Sequence, residues 1–123
     1  MKHNSFYVTL LAIPMLLCLL SCKDKSPTTP LPSITISITD SSLFIANNLT
    51  SNLHLFAIEQ NIAARSEYAL SCDSFNILPA KSTKELKYRD ISGYAQNCKI
   101  IVFWWQCNDS TRGIVNNEII QAK

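Results

Sequence analysis

The chain has 123 residues, 47% hydrophobic and 16% charged, with 11 Lys and Arg against 9 Asp and Glu and a formal net charge of +2. That apolar content excludes an intrinsically disordered chain, and the near-balance of charge excludes the clustered basic surface of a nucleic-acid groove. Only 2 glycines exclude collagen-like repeats and leave little material for phosphate-cradling loops.

Lys2 and His3 open a short, positively leaning segment, and an apolar run follows from Phe6 to Leu20, broken only by Thr9 and Pro14. Fifteen helical residues span about 22 Å, short of the roughly 30 Å hydrocarbon core, so the run fits a secretory leader better than a permanent membrane span. It ends in Leu19-Leu20-Ser21-Cys22. These four residues resemble the lipobox of bacterial lipoproteins: an aliphatic residue, a spacer, a small residue and a cysteine. The resemblance implies cleavage after Ser21, so that residues 1–21 are the signal peptide and Cys22 becomes an acylated N-terminus. Two or three acyl chains, at about 0.8 kcal/mol per buried CH₂, make an anchor that does not readily leave a bilayer. Cys18 is removed with the leader. Lys23 rather than Asp follows Cys22, which in enterobacterial sorting favours the outer membrane; Asp24 between two lysines leaves periplasmic and surface orientations open.

Residues 22–33 form the lipidated cysteine and a tether. Ser26 to Ser33 carries three prolines among small hydroxyl residues, a composition that favours polyproline II and supplies no core. At roughly 3.1 Å per residue the tether reaches about 30 Å.

Residues 34–123 must bury a core, and period-2 alternation assigns them to strands. Ile34 to Thr39 alternates isoleucine with hydroxyl residues, Leu43 to Ala46 gives a second strand, and Asn47-Asn48 marks a turn. Asn52 to Glu59 is predicted to be central, because His54, Phe56 and Ile58 on one face and Leu53, Leu55 and Ala57 on the other are both largely apolar. A helical turn is expected within Asn61–Glu67 and a short edge strand over Tyr68–Ser71. Ser82 to Tyr88 follows with Leu86 and Tyr88 inward, then a turn at Ile91–Tyr94. Lys99 to Cys107 is the most apolar strand, and Gly113 to Gln121 closes the chain. About seven short strands without a long helix predict an all-β fold, an Ig-like antiparallel β-sandwich.

Asn47-Asn48, Leu55 to Glu59, Ile77-Leu78-Pro79, Ile91 to Tyr94 and Ile101 to Trp105 together resemble a group of small bacterial lipoproteins, itself uncharacterised, over most of residues 43–105. That resemblance implies the sandwich and the lipid anchor, and no site.

Little in the chain suggests catalysis. After cleavage His54 is the remaining histidine, in mid-strand beside Phe56 and Ile58, as a packed structural histidine would be. There is no nucleophile elbow, and neither Cys nor carboxylates stand at metal-ligand spacing from His54, so no catalytic residue, metal or cofactor is expected. Asp73, Asp90 and Asp109 read as isolated loop acids. Three cysteines remain: Cys72, Cys98 and Cys107. Cys98 and Cys107 bracket one strand about 30 Å long, far beyond the roughly 4.4–6.8 Å Cα range of a bridge, so Cys72 must be one partner of any disulfide. If Tyr68–Ser71 and Lys99–Gln106 both run antiparallel to the central strand, Cys72 and Cys107 meet at one pole, and that pair is preferred to Cys72–Cys98.

Trp104-Trp105 is the sharpest positive feature. Adjacent strand residues point to opposite faces, so Trp104 joins Ile100 and Val102 while Trp105 joins Ile101 and Phe103. One face is the sandwich core. The other is either covered by the Asn61–Phe75 excursion or is an exposed apolar patch. Parity with Phe103 and Cys107 places Trp105 in the core and makes Trp104, Val102 and Ile100 the candidate contact for a protein or glycan partner. The functional expectation is a lipid-anchored, non-catalytic binding or interaction module of the bacterial cell envelope. The alternative is an envelope enzyme inhibitor or assembly accessory; a small hydrolase ranks below both.

Overall fold

Apolar alternation on each strand is satisfied by two sheets facing each other across one core. The computed structural model describes residues 31–73 and 76–123; the signal segment, Cys22 and the tether as far as Pro30 lie outside them. Strands β1 (Ile34–Ile38), β2 (Ser42–Asn47) and β5 (Thr83–Lys87) form one sheet in the order β1-β2-β5. Strands β4 (Ile77–Leu78), β3 (Leu53–Glu59), β6 (Lys99–Trp105) and β9 (Asn116–Gln121) form the other, in the order β4-β3-β6-β9. Every strand pair within the sheets is antiparallel. The chain leaves the first sheet after β2, returns for β5 and leaves again for β6, which is the Greek-key connectivity of an Ig-like sandwich.

The core follows from strand parity. Ile34, Leu43 and Ile45 from the first sheet meet Leu53, Leu55, Ile100, Val102 and Ile120 from the second. Leu43, Ile45, Ile100 and Val102 are all 0% exposed. Asn47, 2% exposed, stitches the layers at one pole: its Nδ2 lies 2.9 Å from the Ser51 carbonyl and 3.1 Å from that of Leu78. At the opposite pole Tyr88 and Tyr94 stack with ring centres 4.9 Å apart, and the Tyr88 hydroxyl donates to the Thr39 carbonyl. Burial pushes the Tyr88 phenol up from its ordinary value.

Several local expectations change. Helix α1 (Gln60–Ala63) is a single turn, capped by the Glu59 carboxylate, which accepts from the Ile62 N–H at 2.9 Å. The expected edge strand at Tyr68–Ser71 does not form, and Ala64–Asp73 crosses the second sheet as irregular chain. Its bonds are made by side chains: Tyr68 packs on Phe56 and Phe103, and the Ser71 carbonyl accepts from the Trp105 indole at 3.1 Å. The last strand starts at Asn116 rather than Gly113. A hairpin of β7 (Cys107–Asn108) and β8 (Thr111–Arg112) precedes it, and the Gly113 N–H returns to the Gln106 carbonyl. Asp109, with φ 47°, makes the tight turn of that hairpin.

The assignment of faces at the tryptophans is corrected. Ile100 and Val102 lie wholly in the core, in register with Glu59 and Ala57, and Trp104 packs against that core opposite Leu55. Trp105 belongs to the outer face of the second sheet with Phe103 and Ile101, yet is only 4% exposed because the Ala64–Asp73 segment covers it. Trp104, Val102 and Ile100 therefore form no exposed patch. Both faces of β6 are apolar and both are covered, so parity separated the two sets without saying which one faced the other sheet.

Candidate binding site

The chain enters the sandwich through Leu31, Pro32 and Ser33, at the pole that also holds the β2–β3 loop, the end of β6 and the β7–β8 hairpin. A disulfide joins Cys72 to Cys107 there, with Cα atoms 5.9 Å apart; Cys98, just before β6 at its other end, is a half-buried free thiol. The Arg112 guanidinium donates to the Leu70 carbonyl at 2.9 Å. Two independent ties thus hold the covering segment to the hairpin, and the hairpin becomes a rigid wall.

Beside that wall lies a niche of 240 Å³. Its floor is Leu49, Leu53 and the half-buried Trp104, whose indole N–H donates to Ser33 Oγ at 3.0 Å. That bond fixes the ring plane by tying the inner face of β6 to the first residues of the sandwich. Asn108 comes from the hairpin, Ile114 from the loop leading into β9 and Asn116 from the start of β9. Ile114 is 84% exposed, a large aliphatic side chain held out at the lip. An aromatic floor with a few polar groups at the rim is the usual composition of a small ligand or hot-spot pocket. The volume is below the roughly 300 Å³ of a drug-sized pocket and suits one sugar ring or one side chain of a partner.

Of the candidate contact residues Trp104, Val102 and Ile100, only Trp104 lines this niche, and its neighbour Trp105 also borders it. Leu49, Asn108, Ile114 and Asn116 were not legible as a group, because a turn, a hairpin and a loop distant in sequence bring them together. The one available signal is the aliphatic pair Ile114-Val115, which the expected strand from Gly113 to Gln121 absorbs.

His54 is 8% exposed and stacks on Trp105, with ring centres 5.6 Å apart, beneath the covering segment. Among the described residues no group of three or more His, Cys, Asp and Glu is placed to hold a metal ion. Among them, too, no helix is long and apolar enough to cross a membrane. A larger depression of 460 Å³ lies at the opposite pole, lined by Asp40, Glu85, Arg89 and Tyr94 among others. Within it Ser42 Oγ donates to Glu85 at 2.6 Å, while Arg89 lies 3.8 Å from Asp90 and Asp40 3.9 Å from Lys123 in exposed pairs with residues outside its lining. Comparison with protein-family models, with curated proteins and with solved structures finds no match for the chain.

Proposed function

We propose that this chain is a lipid-anchored, non-catalytic binding module of the bacterial cell envelope, held in the outer membrane through Cys22, with a protein or glycan partner seated in the Trp104 niche. The observation that carries the binding reading is the niche itself. It pairs a ring oriented by its bond to Ser33 with an aliphatic lip, Ile114, that contributes nothing to the core. The anchor rests on the apolar leader and the Leu19-Leu20-Ser21-Cys22 sequence. Because the chain enters the sandwich at the niche pole, a ligand there would be taken close to the membrane surface, within about 30 Å of it on the tether.

Two experiments test this reading separately. Palmitate labelling should enter the wild type and not Cys22→Ser; equal labelling of both removes the anchor. Ile114→Ser with Asn116→Ala should retain the melting temperature and lose capture of peptidoglycan fragments or envelope proteins by the immobilised protein. Undiminished capture by that variant moves the site elsewhere. The rigid, disulfide-tied Cys107–Arg112 hairpin favours a second reading, an envelope enzyme inhibitor or assembly accessory acting through that projection. In that case Asp109 and Ser110 substitutions, not those in the niche, abolish partner binding.

A further inference from the structure

The sandwich has an opening on its β5 side. Between β5 and the β3–β4 edge runs a groove of 380 Å³, with Leu55, Ala57, Leu86 and Ile91 along its walls. β5 is the last strand of its sheet. The Tyr88 N–H donates to the Ser41 carbonyl and the Ser82 carbonyl accepts from the Asn47 N–H. Even-numbered residues of β5 therefore turn their main chain toward β2, and alternation turns the amides and carbonyls of Thr83, Glu85 and Lys87 outward. Among the described residues nothing pairs with those outward groups.

Lys84 makes this edge unusual. It stands opposite Ile45, which is 0% exposed, so parity places Lys84 on the inner face of the sheet, half-buried beside Leu86 in the groove. Four charged residues line the groove: Lys84, Glu85, Lys87 and Asp90. Glu85 accepts from Ser42 and Asp90 lies against Arg89, while Lys84 and Lys87 have no partner among the described residues. Ser42 leaves the Glu85 charge in place, but strand parity puts Glu85 and Lys87 on the outer face of the sheet, so the β5 charge that faces inward is the unpaired Lys84.

We propose that the β5 edge binds an extended acidic peptide, a segment of a partner protein that adds as a strand beside Thr83–Lys87 and places a carboxylate against Lys84. Main-chain bonds to an open edge supply affinity, and pockets for alternate side chains supply selectivity. Every second side chain of the added strand points into the groove. Apolar ones meet Leu55, Leu86 and Ile91, and an acidic one meets the ammonium of the half-buried Lys84, where a charge pair is screened less than at an open surface. A second copy of the chain is a poorer occupant, because its own β5 would add another Lys84 to the same inner face. This site is separate from the Trp104 niche and does not depend on it.

The test uses the full chain in detergent and three fluorescently labelled, capped octapeptides: alternating valine and glutamate, alternating valine and lysine, and the valine–glutamate peptide N-methylated at alternate residues. Anisotropy should show saturable binding of the first, with the second and third at least tenfold weaker. Lys84→Met keeps the aliphatic stem and should weaken the acidic peptide about tenfold, with an unchanged melting temperature. Lys84→Arg should restore binding. Equal binding of the N-methylated peptide, equal binding to Lys84→Met, or no binding of the acidic peptide at millimolar concentration overturns the proposal. Lys84 would then act only as a charge that keeps an open edge from self-association. That role is read independently by Lys84→Val, which would dimerise in gel filtration without having gained or lost any peptide affinity.

Discussion

Breaking the Cys72–Cys107 disulfide probes the feature that turns the outer face of the second sheet into interior. The bond closes a loop with a sequence separation of 35 residues. In the chain-entropy account a loop of that length removes about 12.7 cal/mol/K from the unfolded chain, or about 3.8 kcal/mol at 25 °C. Native structure is not expected to collapse without it. The covering segment keeps the Trp105–Ser71 and Arg112–Leu70 bonds and the Tyr68 stack on Phe56 and Phe103. The Cys72→Ala/Cys107→Ala variant should therefore remain folded and lose about 3–4 kcal/mol. At a urea slope of about 1.5 kcal/mol/M the midpoint falls by about 2–2.7 M. Tryptophan fluorescence is a suitable readout, because Trp105 is 4% exposed when folded and shifts to the red once uncovered. Wild-type protein reduced with dithiothreitol should melt with the variant. Two results would refute the reasoning: a midpoint within about 0.3 M of the oxidised wild type, or a thiol at Cys72 or Cys107 in oxidised, folded protein.

Trp105→Ala should cost about 3–5 kcal/mol in urea unfolding, as a buried aromatic truncation does, whereas Ile114→Ser stays within about 0.5 kcal/mol. A mild Trp105→Ala would mean that the outer face is not enclosed. Gly93→Ala should destabilise by about 1–3 kcal/mol, since a left-handed backbone resists a side chain; φ is 79° and an added Cβ would sit 2.5 Å from Ile62 Cγ1. A thermal melt unchanged by that substitution would contradict the contact between α1 and the Ile91–Tyr94 turn. The Glu59 carboxyl is held below the ordinary range chiefly by the Asn61 main-chain N–H, with the Ile62 N–H assisting against partial burial. A depressed carboxyl stabilises the fold above its unfolded pKa and loses that contribution as pH falls through the folded one. Denaturant midpoints between pH 6 and pH 3 should therefore fall more steeply for wild type than for Glu59→Gln, and parallel curves would remove Glu59 from the acid response.

Alternation was enough to place most of the architecture. Ile34–Ile38 is a strand where the apolar period of two runs unbroken, Leu53–Glu59 and Lys99–Trp105 are strands apolar on both faces, Thr83–Lys87 keeps the period only around Leu86, and their number and brevity imply a sandwich. The bridge between Cys72 and Cys107 was also legible in outline, because chain geometry forbids Cys98–Cys107 and leaves few alternatives. Three things required the folded chain. Which face of β6 meets the opposite sheet is decided by what Ile100, Val102 and Trp104 find across the core, and a strand apolar on both sides carries no label for that. Sequence offered the Asn61–Phe75 excursion as a cover without deciding between a covered and an exposed face; that Ala64–Asp73 takes this role is decided by one indole, one guanidinium, one disulfide and a tyrosine stack rather than by a repeating pattern. The Trp104 niche and the Lys84 groove are made by residues from separate turns and strands, brought together only when two sheets close on each other. Local sequence specifies the period of each element; the meeting of elements depends on the sum of burial over the whole chain.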